Sequence, residues 1–254
     1  MKAFTEFQFK NGLLYDYSDN AYPTKLHAWD GENQFSAPGS TFFGYVFAGE
    51  TSLIGKSNNY RLNSRQYFSM NEDFSLSGGK GIVIERMGYR GMNSVGGPVE
   101  DWGRLKYIDG CTDSLLIPPV KLGDPCLNAL FFPANIDQTA HTHPSMRVGM
   151  VIEGYGECVT PEAVYALEPG KIFIIHEEGN HRFRTRTSIQ NGSNSGDFNS
   201  EEPTTITEGK VAKLTVVAYH PDSDFGPVDE DHPMINRTIV EGVPASQIEA
   251  IQTK

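Results

Sequence analysis

Apolar residues along this chain come in short runs rich in Val, Ile, Phe and Tyr, each bounded by Gly, Asn, Asp or Pro. Such runs, too short for helices and closed off by turn formers, predict strands. They fall at Phe42–Phe47, Gly81–Arg86, Leu127–Phe132, Gly149–Ile152, Ile172–Ile175 and Leu214–Tyr219. Long stretches at helical period are missing, and only Ala245–Ile251 reads as a short terminal helix. Many short strands at close spacing predict an all-β sandwich or barrel.

The pattern repeats. At an offset of 105 residues, Gly44 matches Gly149, Val46 matches Val151 and Gly49 matches Gly154. Tyr60 matches Tyr165, Leu62 matches Leu167 and Phe68 matches Phe173 at the same offset. Both segments run strand, glycine turn, strand, turn, strand. Recurrence at one fixed offset implies two copies of one β-unit, divided near Pro118–Gly123 into residues 1–118 and 119–254. Two segments stand outside it. Residues 186–209 are polar and rich in Ser, Asn and Thr, so they predict a long exposed loop between strands of the second unit. The tail from His220 onward is rich in Pro and Asp and is expected to pack over a barrel or a partner subunit.

Composition sharpens this picture by exclusion. With 15 Phe, 11 Tyr and 38% hydrophobic residues, the 254-residue chain can build a packed core. Its formal net charge of −11 argues against general affinity for nucleic acid or anionic membranes, which calls for basic patches. No run approaches the ~20 apolar residues of a membrane-spanning helix. The first twenty residues lack the apolar core of a signal peptide. Cys111, Cys126 and Cys158 fit neither a disulfide framework nor a zinc ribbon, and are expected to be reduced thiols. The expected location is the cytoplasm.

Histidine carries the chemistry. Of seven, only His27 lies in the first unit. His141 and His143 form an H-x-H pair on an expected strand, where alternation puts both rings on one face. His181 opens the run HRFRT after the turn segment EPGKIFIIHEEGN. In a small barrel the three imidazoles can converge on one ion. His176 is expected to be exposed, while His220 and His232, in the tail, are expected to make ordinary hydrogen bonds. Glu157 and Tyr155 could line a pocket or sit elsewhere, and Arg182 and Arg184 should point away from the cavity.

The H-x-H pair, the following PSMRVGMVIEG, the PG turn and the third His together resemble the cupin superfamily. The resemblance is good over residues 127–185 and extends weakly to 36–86 through the repeat. It implies a bicupin, two antiparallel jelly-roll barrels (double-stranded β-helices) in tandem, with a metal site in the second barrel at His141, His143 and His181. The chain departs from the family pattern where a Glu or Gln ligand usually falls, because Arg147 stands there and arginine does not coordinate metal. His176 and Glu178 also replace the usual Pro and Gly before the last His. The offset maps the ligand positions onto Ser36, Pro38, Phe42 and Leu76, so the first barrel is expected to be free of metal.

The resemblance implies a divalent metal, iron first, with nickel, manganese or zinc as alternatives. The expected function is a metal-dependent enzyme acting on a small anionic organic molecule, with dioxygenase chemistry favoured on resemblance and Arg147 holding the substrate's charge. A redox-neutral isomerase or lyase and a non-catalytic ligand-binding barrel are the rival readings. Exposed sheet edges and the tail suggest a homodimer.

Overall fold

The structure, a computed structural model, describes residues 2–185 and 213–222 and the backbone of two short strands, Ile239–Val240 and Val243–Pro244. Among the described residues the secondary structure is antiparallel β, apart from one turn of 3-10 helix at Ile108–Gly110. The expected loop 186–209, the helix at 245–251 and His232 lie outside the described residues.

Two barrels are present, each a large sheet closed by a small one. In the first, a six-stranded sheet runs in the spatial order Ser94–Gly96, Tyr67–Met70, Ser40–Ala48, Lys80–Met87, Thr24–Asp30, Gly12–Tyr17. A four-stranded sheet that includes Thr51–Gly55 and Phe74–Ser77 faces it. In the second, a seven-stranded sheet runs Phe4–Phe7, Ile172–Ile175, Arg147–Gly154, Leu214–His220, Cys126–Phe132, Thr112–Ile117, Leu105–Lys106. Its small partner sheet is Val164–Leu167, Gly156–Val159 and Arg182–Arg184.

The side-chain period of two sorts the strands into three cores. Phe42, Val46, Val83 and Trp29 point into the first barrel with Leu53, Phe74 and Leu76. Val151, Phe173 and Val216 point into the second with Cys158, Leu167 and Phe183. The alternate residues of the two large sheets meet each other, with Phe43, Tyr45, Ile82 and Ile84 against Leu127, Val148, Met150, Val217 and Tyr219. The Phe43 and Tyr219 rings lie 5.2 Å apart across this junction. Strands buried on both faces have no polar side to show. Cys126–Phe132 is buried at every position, and its sequence is apolar except for Asn128, which donates to the buried Asp113 at 3.0 Å.

The internal repeat is a repeat of packing. Gly44 lies under the ring of Phe68, where a Cβ would sit 2.1 Å from Cζ, and Gly149 lies under Phe173, where it would sit 2.2 Å away. Neither position tolerates a side chain without moving an aromatic ring. Gly49 and Gly154 both turn at φ +79, which only glycine adopts cheaply. At the PG turn, Gly170 has φ +90, and its first-barrel counterpart Arg65 takes φ +70. Arg65 is held there by Val99 O at 2.9 Å and by Glu153 of the second barrel at 3.0 Å.

Sheet membership departs from the expected division at 118/119. Phe4–Phe7 pairs with Ile172–Ile175, Phe4 opposite Ile175, and so belongs to the second barrel's large sheet. Thr112–Ile117 and Leu105–Lys106 join the same sheet at its other edge. The physical reason is visible at Phe4, which is fully buried and stacks on Tyr165 at 4.3 Å and Phe173 at 5.2 Å. His176 is part of the same attachment. It is half-buried rather than exposed, with its Nε2 2.8 Å from Thr5 Oγ1 and its backbone N–H on Ala3 O.

Candidate metal centre

His141, His143 and His181 come together inside the second barrel, each more than nine-tenths buried. One ligand-capable nitrogen from each lies within 4.8 Å of the others, the arrangement a shared ion requires. The local backbone differs from expectation at the H-x-H pair. It is not a regular strand: His141 makes an isolated bridge to His181, each N–H donating to the other's carbonyl at 3.0 Å. Pro144, which has no N–H to give, follows at once, and the regular strand begins only at Arg147. The bridge still delivers both rings to the barrel interior.

Hydrogen bonds fix two of the tautomers. Nδ1 of His141 lies 2.9 Å from Thr139 O, and Nδ1 of His181 lies 2.8 Å from Gly179 O. A carbonyl only accepts, so each Nδ1 carries a proton, and in the neutral ring Nε2 is the nitrogen left with a lone pair. Metal-binding histidines are oriented in this way, their second nitrogen donating to a carbonyl. His143 is held well below the ordinary imidazole range, first by burial and then by the guanidinium of Arg147 and the neighbouring histidines. Its Nδ1 has no hydrogen-bond partner among the described residues. Three converging imidazoles, one of them kept neutral by burial, and a buried nitrogen without a partner suit a divalent transition metal.

Arg147 points into the barrel and lines the same cavity as His143 and His181. Its Nη1 donates to Asp222 at 3.0 Å, to the carbonyls of Ser145 and Met146 at 3.1 Å each, and to Ser145 Oγ. Ser145 Oγ in turn donates to Asp222 at 2.7 Å. The guanidinium's charge is therefore balanced within the protein, and Nη1 is committed. Its buried Nε meets no acceptor among the described residues.

Glu157 does not line the cavity but forms a buried ion pair with Arg184 on the outer face of the small sheet, where the two are register partners. Arg182 reaches Asp137 at 2.6 Å, so both arginines point away from the site as expected. Tyr155 is held by its backbone to Lys213 O. Cys111, Cys126 and Cys158 are free and buried, and burial pushes the Cys111 thiol up to about 12.

The sequence reading missed His220. It ends the strand Leu214–His220, and alternation from Leu214, Val216 and Ala218 turns it into the barrel, where it lines the cavity. The apolar run in the sequence stops at Tyr219, one residue short of the strand's end. Tyr107, also a cavity residue, was given no role. The cavity these residues enclose measures about 20 Å³.

No protein-family model matches the sequence, and no curated protein matches it. Solved structures do match. A cupin 2 conserved barrel domain protein from Leptotrichia buccalis aligns at a TM-score of 0.54 and 11% identity over 85% of this chain and 86% of that one. The fold is that of the cupins. Protein Ylba from E. coli aligns with this cupin fold at a TM-score of 0.52 and 14% identity, over 88% and 84% of the two chains. A salicylate 1,2-dioxygenase from Pseudaminobacter salicylatoxidans does so at 0.55 and 10%, over 84% and 76%. These cupin alignments span most of the chain, so they take in both barrels. Among the described residues no helix is long and apolar enough to cross a membrane.

Proposed function

We propose that this cupin-fold protein is a metal-dependent enzyme that acts on a small anionic organic molecule, with an oxygen-dependent, dioxygenase-type reaction as the leading chemistry. One observation carries the proposal: three buried imidazoles within 4.8 Å, two of them locked by backbone carbonyls in the tautomer that presents Nε2 to a common point. His141, His143 and His181 would hold the ion, iron before nickel, manganese or zinc. Bound there, iron would supply Lewis acidity and a route for electrons to dioxygen. The chain's own residues set the rest. Three neutral ligands leave the ion's charge uncompensated, and the Arg147–Asp222 pair adds none, which favours an anionic substrate. The apolar walls, Phe173, Phe183, Leu130 and Val216, exclude bulk water and limit what enters. The presence of a salicylate dioxygenase among the proteins of similar fold is consistent with this chemistry and does not select the substrate.

The test is elemental analysis of the purified protein beside a His141→Ala/His143→Ala variant, with oxygen uptake measured against a panel of small carboxylates. Near-stoichiometric metal that vanishes in the variant, and substrate-dependent oxygen consumption, are the expected results. Metal with turnover but no oxygen consumption would replace the dioxygenase with a redox-neutral isomerase or lyase. No metal after reconstitution with each ion would overturn the enzyme reading and leave a ligand-binding barrel.

A further inference from the structure

The inference rests on the metal-site reading and concerns what meets the ion's exogenous ligand. Arg147 stands where a fourth protein ligand was expected, so the nearest polar groups decide what occupies that side. Arg147 and His220 are neighbours. The strand pairing sets Val148 opposite Tyr219, and one residue further along places Arg147 beside His220 on the inner face. Both line the cavity that also touches His143 and His181. His220 is not a member of the three-histidine group within 4.8 Å, so it lies beside the cluster and does not complete it. It ends its strand between Ala218 and the buried Asp222, close enough to Arg147 for the guanidinium to disfavour its charged form. Its neighbour Arg147 has a buried Nε with no acceptor.

Two donor side chains stand side by side on one small cavity, Arg147 with a buried Nε that has no acceptor, and together they match the two oxygens of a carboxylate. The cavity's volume of about 20 Å³ has space for roughly one or two waters, which suits the carboxylate end of a ligand and not an aromatic ring. We propose that His220 and the Nε edge of Arg147 form a carboxylate-recognition site beside the metal, and that His220 sets the preference for a small monocarboxylate. Asp222 and Ser145 act as positioning residues. By holding Nη1 they fix the plane of the guanidinium and leave Nε uncommitted.

The experiment uses the whole chain loaded with cobalt(II), with formate as the probe. Metal content comes from elemental analysis, and formate binding from calorimetry and the cobalt absorption bands. His220→Ala and His220→Phe should each keep one metal and lose formate affinity by about 10-fold or more, the size of a lost charge-assisted hydrogen bond. His220→Gln, which keeps an N–H, should recover most of that loss. If the alanine variant fails to fold, the comparison of Phe with Gln carries the test. Loss of metal in the folded His220 variants would make His220 a ligand and overturn the inference. Unchanged formate affinity in metal-loaded variants would overturn it alone, leaving the metal reading in place. A wild type that takes up no metal would overturn both.

Discussion

Replacing Gly149 by alanine tests the link between barrel packing and the histidine cluster. The new methyl carbon would lie 2.2 Å from Phe173 Cζ and 2.4 Å from Cε2, well inside contact distance. The backbone cannot retreat, because Gly149 is paired on both sides, with Phe173 and with Ala218. The ring must move, and it is 2% exposed, stacked on Phe4 at 5.2 Å and in contact with Phe183 at 6.0 Å between centroids. Phe183 lies edge-on to His181 at 5.6 Å. Overpacking of this kind costs about 1–3 kcal/mol, or roughly 2–12 °C in melting temperature for a chain of this size. Gly44→Ala is the matched control, with the same clash against Phe68 at 2.1 Å in a barrel without the histidine cluster. Thermal denaturation should show both variants destabilised by similar amounts, while cobalt titration shows weaker metal binding in Gly149→Ala alone. If Gly149→Ala melts like the wild type, the close packing is not what holds the ring. If Gly44→Ala weakens metal binding equally, the effect is not transmitted through Phe173 and Phe183.

Three further outcomes are expected. His27 is held at about 4, first by burial and then by Lys25, with Asp16 offsetting only part of this. The unfolded chain takes up that proton near pH 6.5, so stability should fall as pH drops from about 6.5 through about 4, by about 3 kcal/mol in all. Urea unfolding of metal-free protein should show that loss, reduced in His27→Gln. Asp222→Ala leaves a buried guanidinium without its counter-charge and should cost about 3–5 kcal/mol by chemical denaturation, while Arg147→Met/Asp222→Ala recovers part of the loss. Phe4→Ala should cost about 3–5 kcal/mol and, by hydrogen exchange, expose the backbone of Ile172–Ile175.

Much of this was legible in the sequence, because it rests on local spacing. Strand positions followed from apolar runs, and the two barrels from glycines and aromatics recurring at one offset. The three histidines were named from an H-x-H pair and a PG turn. What escaped was non-local. The segment FTEF carries no sign that its partner lies near residue 172. The H-x-H pair looked like strand because Pro144's missing N–H enters only once neighbours are known. His220 was hidden by one residue of strand length, and its alternation with Val216 and Ala218 was the available signal. Arg147's inward direction could be proposed from sequence, whereas its commitment to Asp222 joins residues 75 apart.

The position of Phe4–Phe7 in the second barrel has a consequence for how the molecule is made. On the ribosome this strand emerges well before its partner, Ile172–Ile175, which follows roughly ten to thirty seconds later at ordinary rates of translation. Its apolar face must wait while the first barrel closes around residues that come after it. Folding of the second barrel therefore includes stitching an early segment onto a sheet made much later. A fragment beginning at residue 119 would lack that stitch and should recover its edge when a peptide carrying Phe4–Phe7 is supplied in trans.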